Sequence, residues 1–312
     1  MKAKSSQKET LAAYSFLFPN FLGFLIFTSL PVLASFILAF LKWNMISSDA
    51  AVKFVGLANF IKLLGFHFEE GALKANDPFF WKYLYNTVFL MLGIPISIMG
   101  SLLLAMAMKQ KLKGIVIFRT IYFLPTICQG VAIALLWKWI YNYDFGLLNN
   151  FVRNFGDLLH LNLEGVNWLS QRWAKPAFIL MGTWAYVGGF NMILYLAALQ
   201  NISKDLYEAA DIDGASGWQK FWAVTWPMIS PTTFFITIMS IIGGFQGGFM
   251  IAYIMTRGGP AGATTTLEYY IFNNLYVWQK MGYASAISWF LFVIIFIITL
   301  FNWRFGGKLV HY

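Results

Sequence analysis

The chain has little charge and almost no cysteine. Of its 312 residues, 11% are charged and 59% are hydrophobic, whereas a typical soluble domain is about 25% charged. Most of the chain therefore has lipid rather than water as its solvent. Its single cysteine, Cys128, lies in an apolar stretch. One cysteine provides neither an intrachain disulfide nor a metal site built from cysteines.

Several sequence patterns that carry chemistry are also missing. The chain has no glycine-rich phosphate loop ending in Gly-Lys-Ser/Thr and no Gly-x-Ser-x-Gly serine elbow, so it does not itself bind ATP through a P-loop. The histidines do not have the spacing of metal ligands; they are His67, His160 and His311. We therefore expect no catalytic residue, no metal and no cofactor, and we do not expect an enzyme.

Long apolar runs take up most of the sequence. A helix needs about 20 apolar residues to cross the ~30 Å hydrocarbon layer of a bilayer. We predict an all-α polytopic membrane protein with a single transmembrane domain over residues 1–312 and six spanning helices. These cover residues 11–41, 83–108, 118–140, 176–199, 227–252 and 284–303. Pro19 and Pro31 lie in the first run, where we expect a kink or an interfacial portion.

The first apolar run is also far longer than the core of a signal peptide, so we expect it to remain in the mature protein. The central portions of the predicted spans contain no aspartate or glutamate. Because an ionisable group within the membrane is the usual mark of a proton or ion pathway, this pattern argues against a proton-coupled carrier.

The distribution of basic residues predicts the orientation. If the N-terminus is placed in the cytoplasm, 11 of the 22 basic residues fall on each side of the membrane. Their number alone therefore does not determine the orientation. The inner ones lie on short segments and tails, whereas the outer loops are longer and richer in acids. This density predicts both termini in the cytoplasm. The inner set is Lys2, Lys4, Lys8, Lys109, Lys111, Lys113, Arg119, Lys204, Lys220, Arg304 and Lys308.

The basic cluster between the second and third runs, from Lys109 to Arg119, gives the strongest orientation signal. We interpret it as an anchor to anionic membrane lipid rather than as a nucleic-acid site. The net charge of +9 follows from such anchors.

Residues 200–226 separate the fourth and fifth runs and contain an acidic, small-residue island, Glu208–Ala215. We predict two short helices with a break at Asp213-Gly214, because glycine allows backbone angles that a side chain forbids. Ser203 and Ser216 are the predicted N-caps, each with a side-chain oxygen that can accept a free backbone N–H.

The second of these helices has an aromatic stripe. Trp218, Phe221 and Trp222 fall on one helical face, and such a face must be covered. The rings can pack against the ends of the spanning helices or lie at the level of the lipid headgroups. They can equally fill a groove on a partner, and both interpretations remain open at this point.

The island has a specific resemblance. Glu208-Ala209-Ala210, then two residues, then Asp213-Gly214-Ala215, with Phe221 and Pro227 downstream, resembles the EAA loop of ATP-binding-cassette importer permeases. Other segments narrow the resemblance to carbohydrate permeases of the maltose and glycerol-3-phosphate uptake type, and within them to maltose-permease F-like subunits. Those segments are Phe18-Pro19-Asn20 and residues 54–60, 256–260 and 282–286.

The resemblance implies a type I importer permease fold in which this loop forms a coupling helix seated in a cleft of an ATP-binding subunit. The implied coupling residues are Glu208, Ala209, Ala210, Asp213, Gly214 and Ala215, with Trp218 and Phe221 as anchors. The implied partners are a second permease, two ATP-binding subunits, an extracytoplasmic solute-binding protein and membrane lipid. The implied activity is import by alternating access across the inner membrane of a bacterial or archaeal cell. By comparison with this family, we expect the chain to lack the large outer domain and the extra N-terminal helices of some members.

Sugars are bound through hydrogen bonds and stacking on uncharged polar and aromatic groups. The candidates within the fourth and fifth runs are Trp184, Tyr186, Asn191, Ser240 and Gln246. Each of them can instead form hydrogen bonds between helices. Two glycine pairs, Gly243-Gly244 and Gly247-Gly248, flank Gln246 and predict either a cavity wall or a close helix-packing face.

Some alternatives stay open. The outer loops at residues 42–82, 141–175 and 253–283 can dock a solute-binding protein or simply connect the helices. A disaccharide, an oligosaccharide, a polyol and a glycerol phosphoester are all compatible solutes. A secondary carrier and a noncatalytic membrane scaffold are the alternative functions.

Overall fold

The computed structural model describes residues 2–44, 52–69, 71–110, 113–128 and 130–306, with side chains from residue 8 to residue 304. Lys111, Lys308 and His311 lie outside the described residues, and the side chains of Lys2 and Lys4 are not described. The described chain is mainly helical, with four short strands, as the apolar runs predict.

Sixteen α-helices are present in the described part of the chain. They are α1 Lys2–Phe24, α2 Leu30–Leu38, α3 Ala58–Leu64, α4 Pro78–Leu90, α5 Gly93–Lys109, α6 Ile115–Ile127, α7 Gly130–Ile140, α8 Leu147–Leu158, α9 Ala174–Val187, α10 Phe190–Gln200, α11 Lys204–Ile212, α12 Gly217–Lys220, α13 Trp226–Phe245, α14 Phe249–Met255, α15 Leu267–Phe272 and α16 Met281–Gly306. The π-helical turns are Leu25–Ser29, Phe221–Thr225 and Asn273–Val277.

The strands form two small antiparallel hairpins near the N-terminal end of the sequence. Strand β1 (Leu41–Lys42) pairs with β2 (Lys53–Phe54), and β3 (Phe66–Glu69) pairs with β4 (Ala72–Ala75).

Five helical stretches are long and apolar enough to cross a membrane. They are Lys8–Leu38, Pro78–Lys109, Ala174–Gln200, Gly217–Phe245 and Met281–Arg304. A sixth span results if α6 and α7, whose axes differ by 100°, are taken together. Within the described residues, the number of spans thus agrees with the six predicted runs.

The first span is one helical stretch that contains both prolines. Pro19 lies inside α1, and Pro31 lies in the first turn of α2. The π-helical turn Leu25–Ser29 joins the two helices, with the Leu30 N–H bonded to the Leu25 carbonyl. The helix is therefore widened ahead of Pro31 rather than ended there, which relieves the clash of the proline ring with the preceding turn.

The fifth span also differs from the prediction. It was expected over residues 227–252, but the spanning stretch is Gly217–Phe245. The turn Phe221–Thr225 joins α12 directly to α13, so the second helix of the 200–226 loop is the beginning of the spanning helix. Gln246, Gly247 and Gly248 then separate α13 from α14, because the glycine-rich sequence does not continue the helix.

The chain divides into two compact units. The first contains residues Met1–Pro78 and Ile271–Phe292. Within it, the start of α16 is bonded to the N-terminal part of the chain. The Tyr283 hydroxyl donates to the buried Asp77 carboxylate, the Trp289 indole N–H donates to the Ser35 hydroxyl at 3.1 Å, and the Met281 N–H donates to the Trp43 carbonyl at 3.1 Å.

The second unit contains residues Phe79–Tyr270 and Val293–Tyr312. Its core lies where α5, α10 and α13 meet, and Ala105, Tyr195 and Ile229 are completely buried there. Close packing extends to α9: a Cβ atom built on Gly100 would lie 2.9 Å from the Val187 Cγ2. Small residues let membrane helices approach in this way.

This close approach leads to a testable expectation. Gly100→Ala should destabilise the protein by about 1–3 kcal/mol, because the new methyl group meets a β-branched side chain that has little rotamer freedom. The measurement is thermal unfolding in detergent. Gly23→Ala is the matched control, since a Cβ there meets no atom within 4 Å. An equal unfolding temperature for the two variants would contradict this packing.

Candidate functional site

The first candidate site is the loop of residues 200–226, which forms the two predicted helices. Helix α11 begins after Ser203, whose hydroxyl accepts the Asp205 N–H at 3.2 Å. The predicted N-cap is confirmed, and Asp205 lies in the first turn, where the helix dipole favours an acid. Glu208, Ala209 and Ala210 are part of this helix.

Helix α11 ends in a Schellman motif at Gly214. The Ala215 N–H donates to the Ala210 carbonyl at 2.9 Å, and the Gly214 N–H donates to the Asp211 carbonyl at 3.1 Å. Gly214 has a φ of +73°, a left-handed conformation that glycine adopts without a Cβ penalty. Asp213 is the C-cap. The second half of the island therefore consists of helix-terminating residues.

Helix α12 begins with a capping box. The Ser216 hydroxyl accepts the Gln219 N–H at 3.4 Å, and the Gln219 side-chain oxygen accepts the Ser216 N–H at 2.8 Å. Ser216 was predicted as a cap, but the role of Gln219 was missed. The Ser-x-x-Gln spacing is the sequence signature of this motif.

Several contacts fix the loop to the spanning helices. Lys220 bonds to Asp211 across the two loop helices at 2.6 Å. The hydroxyls of Tyr207 and Thr225 lie 2.9 Å apart, and the Lys109 ammonium at the end of α5 lies 4.8 Å from the centre of the Tyr207 ring. The loop is therefore attached at both its first and its second helix.

The rings of the aromatic stripe differ in whether the protein itself covers them or leaves them open to a partner. Phe221 packs against the buried cluster of the second unit, so its ring is covered by its own protein. Trp218 is 71% exposed although it stacks on Phe221. Ile212, at the end of α11, is 87% exposed and was not among the predicted site residues. Ile212 and Trp218 are thus two exposed apolar side chains, one on each side of Gly214 in the sequence.

The second candidate site is a cavity of about 400 Å³ in the second unit. Four helix breaks border it: those between α4 and α5, α6 and α7, α9 and α10, and α13 and α14. The lining residues at these breaks are Met91, Gly93, Thr126, Gly189, Gly247 and Gly248. Irregular backbone at membrane depth is tolerated where it lines a cavity or is buried in protein.

Three of the five predicted solute contacts line this cavity, namely Tyr186, Asn191 and Ser240. The other two do not. The Trp184 ring packs against Trp137 with centroids 5.6 Å apart, and Gln246 is the exposed C-cap of α13.

The four glycines that flank Gln246 do line the cavity, but they are not equivalent. A Cβ on Gly243 would meet no atom within 4 Å, whereas one on Gly244 would lie 2.9 Å from the Met91 Cγ. Gly243 therefore faces open space, whereas Gly244 allows close packing against Met91.

Two further hydroxyls on the cavity lining were missed. Thr126 and Thr183 are buried hydrogen-bonding groups without a partner among the residues that the structure describes. Buried hydroxyls are normally hydrogen-bonded, so these two can bond to a solute hydroxyl or water once a movement of the lining exposes their oxygen atoms. The lining formed by the described residues contains no acidic, basic or histidine side chain.

A carboxylate is bonded to the backbone directly after the lining residue Gly248. Glu268 accepts the Phe249 N–H at 2.8 Å and so caps the start of α14, next to Gly248 and Thr266 of the lining. Burial raises the pKa of Glu268, and the Phe249 hydrogen bond partly opposes this shift. Glu268 lies in the predicted outer loop at residues 253–283 and was not among the predicted site residues.

The raised pKa of Glu268 determines the sign of a pH effect. The folded state favours the neutral carboxyl, so this contribution to stability is present at low pH and is lost as the pH rises through the folded-state pKa. Glu268→Gln is neutral at every pH. The stability of the variant relative to the native protein should therefore increase with rising pH, as measured by thermal unfolding between about pH 4 and pH 8.

Glu164→Gln is the control for this measurement, because Glu164 is exposed. A difference between native protein and Glu268→Gln that did not change with pH would show that the folded state does not favour the neutral form.

Comparison with known proteins gives consistent matches. Residues 71–307, more than half of the chain, match the family described as "Binding-protein-dependent transport system inner membrane component". The chain is 33% identical to the probable ABC transporter permease protein YesP of Bacillus subtilis (strain 168), covering 100% of this chain and 95% of YesP. It is 36% identical to the lactose transport system permease protein LacF of Rhizobium radiobacter, covering 88% of this chain and 87% of LacF.

The fold also has a solved counterpart. The structure aligns with one chain of the bacterial alginate ABC transporter, crystallised in complex with an alginate pentasaccharide-bound periplasmic protein. The TM-score is 0.81 at 24% identity, and the alignment covers 99% of this chain and 98% of the other. At this identity the likeness establishes the fold.

Proposed function

This chain belongs to the family of binding-protein-dependent transport system inner membrane components and is a permease subunit of an ATP-binding-cassette importer, and we propose that its solute is an uncharged carbohydrate. The observation that carries this proposal is the lining of the cavity. Its polar groups are hydroxyls, an amide and backbone groups at the four helix breaks.

The chemistry of the lining suits a neutral polyhydroxyl solute. Thr126 and Thr183 offer hydroxyls without partners, and Tyr186 offers a ring with a hydroxyl. Asn191 and Ser240 can both donate and accept hydrogen bonds. A phosphate or carboxylate group would enter a site of low dielectric without a countercharge from these residues, which is costly. The lactose specified in the name of LacF belongs to the neutral class.

The mechanism we propose is alternating access driven by partner subunits. A solute-loaded binding protein docks outside, two ATP-binding subunits close on ATP, and the 200–226 loop is displaced. A second permease completes the pathway, because one such chain lines only part of it. Both termini and the loop are proposed to lie in the cytoplasm, as the basic residues predict.

The loop is suited to transmit such a displacement. Gly217–Phe245 is one helical stretch of 29 residues, about 43 Å long at 1.5 Å per residue. The exposed Trp218 lies near one end of this stretch, and the cavity-lining Gly243 and Gly244 lie near the other. A movement of an ATP-binding subunit at Trp218 would therefore move the wall of the cavity directly.

The coupling surface we propose includes the exposed Ile212 as well as the residues of the EAA-like island. Glu208, Ala209 and Asp213 are exposed on the same loop, and Ile212 and Trp218 supply apolar area that a cleft can bury. Gly214 and Ala215 act through the Schellman turn that sets the direction of the second loop helix.

Substitution of Ile212 tests this surface. Burying an isoleucine side chain contributes about 1.5–3 kcal/mol, so Ile212→Asp should reduce the amount of ATP-binding subunit that co-purifies by at least about tenfold. Solute-stimulated ATP hydrolysis should fall with it. Lys204→Ala, at the other end of α11, is the control. Undiminished co-purification of the Ile212→Asp protein would exclude this residue from the interface.

The proposed solute class is tested with the complete transporter in proteoliposomes. Neutral di- and oligosaccharides should stimulate ATP hydrolysis and be transported, whereas the corresponding phosphorylated sugars and uronates should not. Thr183→Val should lower the apparent affinity for the neutral solute about fivefold, since one hydrogen bond is worth about 1 kcal/mol. Transport of an anionic solute with a neutral one rejected would overturn the proposal.

A matched variant separates the cavity from general damage to the fold. The hydroxyl of Thr237 donates to the Thr233 carbonyl of its own helix at 2.8 Å, and Thr237 is not among the lining residues. Thr237→Val should therefore transport as the native protein does, and Thr183→Ser should restore most of the affinity that Thr183→Val loses.

A further inference from the structure

Helix α8 has an exposed apolar stripe that no part of the proposed transport mechanism uses. The stripe consists of Leu147, Phe151, Phe155 and Leu158, which are 54%, 66%, 47% and 74% exposed. Their spacing of four, four and three residues places them on one helical face. The Phe151 and Phe155 rings stack with their centroids 6.1 Å apart, so the stripe is a continuous surface.

The opposite face of α8 is packed against its own flanking chain. Asn149 is completely buried. Its amide donates to the Tyr143 and Val166 carbonyls at 3.1 and 3.0 Å, and its oxygen accepts the Trp168 indole N–H at 3.0 Å. Gly156, about two turns further on, is buried beneath the 161–163 backbone, where a Cβ would lie 2.7 Å from the Leu161 carbonyl. The orientation of α8 is therefore fixed, with the stripe outward.

The same contacts hold α8 near the membrane boundary. Tyr143 lies three residues after the end of α7 at Ile140, which corresponds to at most about 11 Å of extended chain. Trp168 lies six residues before the start of α9, the first helix of a spanning stretch. In addition, the Tyr141 hydroxyl donates to the Ala177 carbonyl of α9 at 2.6 Å. A helix held at both ends in this way cannot move far from the bilayer surface.

Aromatic residues surround this attachment. The Trp168 ring lies 6.0 Å from Tyr141 and 5.9 Å from Trp173, measured between centroids. Trp and Tyr are enriched at the level of the lipid headgroups. The position of α8 next to these rings thus places its stripe at the depth where acyl chains and headgroups meet.

We propose that α8 is an interfacial helix whose stripe of Leu147, Phe151, Phe155 and Leu158 is inserted into the lipid between the acyl chains and the headgroups. The proposal rests on the multi-pass character of the chain and not on the identity of its solute. A binding protein that leaves the membrane in each transport cycle would return this apolar stripe to water. Lipid covers it continuously.

The charge of α8 indicates what kind of lipid contact this is. Arg153 is the basic residue of the helix, and its guanidinium donates to the Tyr143 and Asp144 carbonyls at 2.7 and 2.8 Å. It is therefore engaged by backbone oxygens rather than directed to phosphates. Insertion depends on the apolar stripe, and anionic headgroups contribute little to it.

Spin labels can test the insertion in the complete transporter in nanodiscs. In a Cys128→Ser background, labels are attached at Phe151→Cys and Leu158→Cys on the stripe and at Asp157→Cys, an exposed position more than about 100° around the helix from the centre of the stripe. The stripe labels should collide severalfold more with oxygen, which concentrates in lipid, than with a water-soluble nickel chelate. The Asp157 label should show the reverse preference. Nanodiscs of neutral and of anionic lipid should give the same result.

Two outcomes would overturn the proposal. Stripe labels that collide mainly with the nickel chelate would place α8 in water. Stripe labels that collide with neither reagent would mean that a protein covers the stripe, and repeating the measurement without the binding protein would identify whether that subunit is the cover. Transport activity of the labelled proteins shows that they are folded, and the result does not depend on which solute is carried.

Discussion

Backbone N–H and C=O groups inside a bilayer have no water to bond to, so wherever a helix of this protein stops, another partner must be present. Side chains supply several of these partners. The Ser101 hydroxyl lies 2.7 Å from the Val187 carbonyl at the end of α9, and the Asn86 amide bonds to the Gly262 and Thr265 carbonyls. Of the groups outside the spanning stretches, the Leu267 N–H donates to the Thr87 hydroxyl at 3.0 Å, and the Phe249 N–H at the start of α14 donates to the Glu268 carboxylate. These bonds allow broken helices where a continuous helix would otherwise be required.

The same constraint explains why the breaks come together. Each interruption of a spanning segment needs neighbouring polar groups, and the four breaks of the second unit meet around one cavity. The wall of this cavity therefore presents hydroxyls and backbone dipoles as well as apolar side chains. The packing between α5, α10 and α13 lies beside this region and provides the rigid part of the unit. In this type I importer permease fold, a closely packed helix bundle thus lies beside a cavity whose wall is built from interrupted helices.

Much of this could be predicted from the sequence, and the remainder depends on contacts between distant residues. The apolar runs predicted the number of spans, and Gly214 and the two serines predicted the ends of the loop helices. The start of the fifth span was misplaced because a π-helical turn carries no strong sequence signal. Thr126 and Thr183 could not be told from Thr120 and Thr237, whose hydroxyls bond to their own helices. The partner of Glu268 lies 19 residues away, and nothing in the local sequence identifies it.

The continuous stretch Gly217–Phe245 also fixes a rotational relation. A residue at one end of a helix determines the direction in which a residue at the other end points, because each residue adds about 100°. The angle about the helix axis between Trp218 and the cavity-lining Gly243 is therefore fixed. The turn Phe221–Thr225 changes this angle, since a π-helical turn contains one residue more than an α-helical one. Insertion or deletion of a single residue between them would turn the glycine wall away from the cavity while leaving the loop surface unchanged. The number of residues in this segment is therefore constrained as well as their identity.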